Sequence, residues 1–142
     1  MFGYSVFLFG GLVAFAAKRL KVVAHSSAEA EYAASSYASK EVAFVRNVCS
    51  ELELHMLHGP VCLAVDNKAA ITIAENRGVT GRTKHFSDAI HYVRHMIDHL
   101  IIKVRYVATH NQLADGFTKP LDKYKFRAWC SKIMCGVHET YT

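Results

Sequence analysis

Three carboxylates stand where chains commonly place chemistry. Glu31 lies in SSAEAEY, residues 26–32. There Ser26, followed three residues later by Glu29, has the form of a capping box that opens a helix. Glu31 comes two residues further on, near a helix start whose dipole favours negative charge. Asp66 ends the short apolar run VCLAV, 61–65, and Asn67 follows it. Asp115 sits in NQLADGFTKPL, 111–121, in a short turn that Pro120 stops. Acidic residues also decorate ordinary helix starts, and Asp66 is equally suited to cap the helix after it. Such carboxylates, far apart in sequence, can converge on one face of a sheet and make an oxygen-rich site for Mg²⁺. Two such ions about 4 Å apart serve phosphodiester hydrolysis.

The elements that must position them read as follows. Residues 4–9 and 12–18, YSVFLF and LVAFAAK, form a β-hairpin about Gly10-Gly11. The apolar stretch also resembles a signal peptide, but no positive charge precedes it and the glycine pair splits it. A helix is expected over 27–54, with Ala34, Tyr37, Ala38, Val45, Val48 and Leu52 as its buried stripe and Lys40, Arg46 and Glu53 toward water. VCLAV reads as a parallel strand buried on both faces, and 68–76 as a short helix. Strand ends facing a helix N-terminus are where open α/β folds place their sites. A basic loop, 79–86, leads to a helix over 87–100 that carries His91, His95 and His99 on one face. A row of three imidazoles closes no metal site without ligands from elsewhere, so this is read as a solvated or nucleic-acid-facing row. IIKVRYVA, 101–108, is a half-exposed strand with Ile102, Val104 and Tyr106 on one side. A last helix, 122–134, would pack through Tyr124, Phe126, Trp129 and Ile133.

A chain of 142 residues suffices for one domain with a core. Hydrophobic residues make up 51%, which excludes a disordered chain. The formal charge of +5, from 17 Lys+Arg against 12 Asp+Glu, permits a polyanionic partner without requiring one. Cys49, Cys62, Cys130 and Cys135 have no zinc-type spacing. They read as reduced thiols, two of them in the core, in a cytoplasmic or nuclear protein that is neither secreted nor membrane-bound.

The segments SSAEAEY, VDNKAAITIAEN, GRTKH and NQLADGFTKPL together resemble, in order and spacing, the ribonuclease H domain at the end of copia-type LTR retrotransposon polyproteins. GYSVFLFGGLVAFAAKR is similar to the hairpin that precedes them there. The likeness runs from about Gly3 to Met134 and implies a ribonuclease H-like domain over 1–134 with a loose tail over 135–142. It implies an α/β fold, a mixed sheet with flanking helices, and cleavage of RNA in RNA–DNA hybrids with two Mg²⁺, Mn²⁺ being the substitute. By motif match Glu31, Asp66 and Asp115 are the catalytic, metal-holding carboxylates, and Glu29 is the capping residue. One ion activates water and the other steadies the leaving oxygen. Arg82, Lys84, His85 and Asn67 are the expected nucleic-acid contacts. The implied partners are the hybrid and an upstream reverse transcriptase segment of the same polyprotein, in a virus-like particle.

The chain departs from that pattern in two places. The resemblance implies a fourth carboxylate, an aspartate on a strand upstream of the hairpin, whereas the sequence opens at Met1-Phe2 and no acidic residue precedes Glu29. That strand would be the centre of the sheet, between the hairpin and VCLAV. Without it two half-sheets with unpaired edges are expected: either YSVFLF closes onto VCLAV or a gap remains. FSDAIHYVR after GRTKH also differs, with Ser87 where an acid is common. The chain as it stands is therefore expected to have negligible activity. The competing reading is a non-catalytic remnant that binds nucleic acid by charge alone.

Overall fold

A computed structural model describes residues 1–19, 27–54, 59–75 and 87–134. The order is β1 (Phe2–Leu8), β2 (Gly11–Lys18), α1 (Ser27–Glu51), β3 (Val61–Val65), α2 (Lys68–Glu75), α3 (Ser87–Asp98) and β4 (Ile102–Tyr106). Two 3₁₀ turns, Thr109–Asn111 and Leu113–Phe117, then lead to α4 (Lys123–Met134). The architecture is mixed α/β. Among the described residues, no helix is long and apolar enough to cross a membrane.

The hairpin forms with its turn one residue earlier than expected. Leu8 pairs with Gly11, so Phe9-Gly10 is the two-residue loop. Both have positive φ, 51° and 83°, the signature of the tight turn that matches strand twist. Gly10 takes that conformation without strain, whereas Phe9 does so at some cost. A bulge between Val6 and Phe7 shifts the register. Phe2, Tyr4 and Val6 point into the core, each 6–7% exposed.

α1 runs along the expected span and buries Ala34 and Ala38 of the expected stripe, but not its larger members. Tyr32, Ala33, Ala34, Ser35, Ser36, Ala38 and Ser39 are all buried, while Tyr37, Val48 and Leu52 are exposed. The first half of the helix is enclosed nearly all round, and its small side chains let neighbours approach its backbone. Two of the buried hydroxyls are satisfied on the helix itself, whereas the Tyr32 hydroxyl has no hydrogen-bond partner among the described residues. Ser35 Oγ donates to the Glu31 carbonyl at 3.0 Å and Ser39 Oγ to the Ser35 carbonyl at 2.7 Å, the one-turn-back bond open to a helical serine. Ile90, Val93 and Met96 of α3 complete the core against it.

β3 and β4 pair in parallel, Val61 opposite Ile102 through Val65 opposite Tyr106. Only Val65 of β3 is fully buried, against the expectation of a strand covered on both faces. The reason lies in the sheet. β1–β2 and β3–β4 form separate two-stranded sheets, and between β1 and β3 lies a cavity of about 330 Å³. Its walls are residues 3–7 of β1 and 61–65 of β3, and Ala34, Ser35, Ala38 and Val42 of α1 line it too. Of the two expected arrangements the gap is the one observed.

α4 is less buried than its aromatic content suggested. Asp122 caps it, its Oδ1 accepting from the Tyr124 and Lys125 amides. Only Ile133 is buried, and Tyr124 and Phe126 are 80% and 50% exposed. Trp129 instead packs edge-on against Phe117, at 4.9 Å, which itself stacks on Phe15 at 5.0 Å. Cys49 is buried and Cys62 and Cys130 half-buried, all with free thiols; Cys135 and the 135–142 tail lie outside the described residues.

Two outcomes are expected. Ser39, 0% exposed, has no room for a larger side chain, so Ser39→Leu should destabilise the fold by about 1–3 kcal/mol, read as a lowered thermal midpoint. An apolar strand with an unpaired edge recruits other strands, so the purified chain should elute increasingly early from gel filtration as its concentration rises. A monomer at every concentration would contradict that.

Candidate active site

Glu31, Asp66 and Asp115 line one cavity of about 390 Å³, with Lys119, Asn67 and Gln112 beside them. Three elements converge to make it. Glu31 projects from near the start of α1, Asp66 follows the last residue of β3, and Asp115 sits in the 3₁₀ turn Leu113–Phe117. Asp115 thus borders the same cavity as Asp66.

The capping of α2 falls to the neighbour of Asp66. Asn67 Oδ1 accepts from the Ala69 amide at 2.9 Å and the Ala70 amide at 3.2 Å. Asn67 is therefore the N-cap of α2, which leaves Asp66 to the cavity. The cap also commits the side chain of Asn67, expected from the sequence as a nucleic-acid contact. Arg82, Lys84 and His85, the other expected contacts, lie outside the described residues, as does Ser26 of the expected capping box.

Gln112, which the sequence did not single out, and Trp129, which it marked only for packing, hold the Asp115 turn in place. Gln112 Nε2 donates to the Ala64 carbonyl of β3 at 3.2 Å, while its Oε1 accepts from the Ala114 amide at 3.4 Å. Gln112 thereby ties the Asp115 turn to the strand that ends at Asp66. Trp129 Nε1 donates to the Leu113 carbonyl at 2.8 Å, and its indole lies where a side chain at Gly116 would have to be. A glycine directly after the turn acid, with a distant tryptophan to cover it, was the available signal.

The electrostatics follow from the convergence. Burial first, then the charges of Asp66 and Asp115, push the Glu31 carboxyl up from 4.5 to about 7. Lys119 opposes this, with its Nζ 2.6 Å from Asp115 Oδ2. The hydrogen bond to Asp115 raises the Lys119 ammonium, with smaller contributions from the charges of Asp115, Asp66 and Glu31. The donor set is all carboxylate oxygen, the chemistry of a hard divalent cation. Among the described residues, however, no three His, Cys, Asp or Glu side chains stand in metal-binding geometry, so these carboxylates suit an ion in kind without forming a closed shell. His91 and His95 of α3 and His99 just after it are exposed, with the His95 and His99 rings 4.0 Å apart.

Comparison with known proteins now bears on these residues. The chain is 34% identical over 131 residues to the retrovirus-related Pol polyproteins from transposons RE2 and RE1 of Arabidopsis thaliana, 92% of its own length. It is 33% identical over 136 residues, 96% of its length, to that from transposon TNT 1-94 of Nicotiana tabacum. The chain is homologous to a segment of retrotransposon Pol polyproteins. It spans only 9–10% of the length of these curated relatives. No protein-family model matches this Pol-related segment, and no solved structure matches it.

The raised Glu31 carboxyl sets a pH dependence with a definite sign. Between its unfolded value near 4.5 and its folded value of about 7, the folded state holds more protons than the unfolded one. Stability therefore falls as pH rises through that window and levels off above it. Glu31→Gln should raise stability above pH 7 by about 2–3 kcal/mol and leave it unchanged below pH 4. Urea unfolding of both proteins at pH 4, 6 and 8 checks this.

Proposed function

We propose that this segment is the larger part of a ribonuclease H-type domain of a copia-type Pol polyprotein, acting on the RNA strand of RNA–DNA hybrids. The observation that carries the reading is the convergence of Glu31, Asp66 and Asp115 on one cavity. These are the three acids singled out by motif, drawn together from the start of a helix, a strand end and a turn. Homology to Pol polyproteins supports the setting.

In this reading the three carboxylates hold Mg²⁺, with Mn²⁺ as a substitute. Bound there, the ions would supply an activated water and charge relief for the leaving oxygen. The protein's own part is to fix the acids. Asn67 frees Asp66 by capping α2, Gln112 sets Asp115 against β3, and burial keeps Glu31 partly protonated near neutral pH. Arg82, Lys84 and His85 of the basic segment 79–86 contribute phosphate contacts, and shape and 2′-OH contacts distinguish the hybrid. The cavity between β1 and β3 opens toward the site, since Glu31, Gly3, Gln112 and Ala114 line both cavities. A strand of the same polyprotein seated there would pair both free edges and bring in the fourth carboxylate that the resemblance implies.

The test is cleavage of a labelled RNA–DNA hybrid with Mg²⁺ or Mn²⁺. The chain alone is expected to show negligible turnover. The chain extended upstream by the corresponding polyprotein sequence is expected to cleave and to lose about a hundred- to a thousandfold with Asp66→Asn, on the scale of removing charge stabilisation from a transition state. An extended chain that binds the hybrid but never cleaves it would favour the non-catalytic reading. Turnover by the short chain alone, abolished by Asp66→Asn, would remove any need for the added strand.

A further inference from the structure

We infer that Lys119 is a built-in competitor for the carboxylate cavity, so that a divalent ion must displace its ammonium from Asp115 in order to bind. The inference rests on the metal-binding reading above and adds to it a residue with a defined role. Lys119 lines the same cavity as Glu31, Asp66 and Asp115. Its Nζ lies 2.6 Å from Asp115 Oδ2, the position of a charge-assisted hydrogen bond. An ammonium on one acid of a three-acid cavity relieves the mutual repulsion that a cation would otherwise have to relieve.

The attachment of Lys119 suits it to leave. Its backbone is pinned, because the Lys119 and Thr118 amides both donate to the Asp115 carbonyl, at 2.9 and 3.0 Å. Pro120 then restricts the chain on the other side. The head group is not pinned in the same way, since the side chain is 56% exposed. A lysine head on a flexible four-carbon stem can swing into water while its root stays fixed. A monovalent ion would gain little by replacing an ammonium of equal charge, whereas a divalent ion gains a second charge against the same acids. Lys119 thus sets a threshold that favours divalent over monovalent cations.

The test uses the whole chain at pH 8. Mn²⁺ affinity is measured by titration calorimetry for the wild type, Lys119→Met and Lys119→Arg. Removing an exposed ion-pair partner and its positive charge should tighten binding about two- to fivefold in Lys119→Met, with Lys119→Arg no tighter than wild type. A second measurement needs no variant: acylation of lysines read by mass spectrometry. Lys119 should react slowly, relative to Lys125, without a divalent ion and faster when Mg²⁺ is added. If the wild type binds Mn²⁺ and Lys119→Met binds no more tightly, or if Mg²⁺ binds without exposing Lys119 to acylation, the inference is overturned and the metal site stands. If neither wild type nor variant binds Mn²⁺ or Mg²⁺, the metal reading fails and takes the inference with it.

Discussion

The close approach of α1 to both half-sheets is the constraint on which the rest of the structure depends. Among the described residues β1 and β3 share no ladder, so what relates hairpin to parallel pair is a helix packed against both. Such packing requires small side chains. Ala33, Ala34, Ser35, Ser36, Ala38 and Ser39 provide them in one run of seven residues, with Tyr32 and Val42 filling the ends. Two serines in that run satisfy their hydroxyls on the helix itself; unbonded, each buried group would cost about 1–3 kcal/mol. The same rigid helix carries Glu31 one turn before Ser35, so the packing that joins the half-sheets also fixes the first acid of the cavity.

The acids were legible in the sequence because each is marked by local chemistry. A helix start, a strand end and a proline-stopped turn are short-range signals, and they placed Glu31, Asp66 and Asp115 correctly on their elements. The faces of α1 and α4 were less legible. A 3.6-residue period locates a stripe only when one side of a helix is buried. The first half of α1 is buried nearly all round, so the expected stripe holds at Ala34 and Ala38 but not at Tyr37, Val48 and Leu52, which are exposed. α4 was legible in part. Trp129 and Ile133 pack as expected, but Tyr124 and Phe126 are exposed, and the anchoring comes from Trp129 on Gly116 and Phe117. That contact joins residues too far apart for any periodicity to reveal it. The exposure of β3 was equally hidden, because it depends on the cavity beside β1 and not on the strand's own composition.

The identity of the cap illustrates how a single atom-level contact changes a functional reading. From the sequence, Asp66 is the residue suited to cap α2, and Asn67 is an expected nucleic-acid contact. One side chain suffices to take the free amides of Ala69 and Ala70, and Asn67 takes them. Had Asp66 done so, its charge would have been spent on the helix N-terminus and the cavity would have lost its middle acid. Gln112 does comparable work at the other end, since its two bonds tie the turn of Asp115 to the strand that ends at Asp66. Neither residue carries charge, yet between them they determine which charges meet.

The convergence of acids also weighs on the choice between a working site and a remnant. Selection for folding alone gives no reason to gather three carboxylates, because each raises the cost of ionising the next. Here that cost is visible in Glu31, whose carboxyl is pushed up to about 7 by burial and by Asp66 and Asp115. One lysine offsets part of it and sits largely in solvent, where an ion pair contributes little, about 0–1 kcal/mol. A fold under no functional demand would be steadier with a glutamine at position 31. Titratable groups held at such a disadvantage mark functional sites more often than they mark scaffolding. The arrangement is one that a cation would relieve, and that relief is the physical reason to propose the cavity as a site.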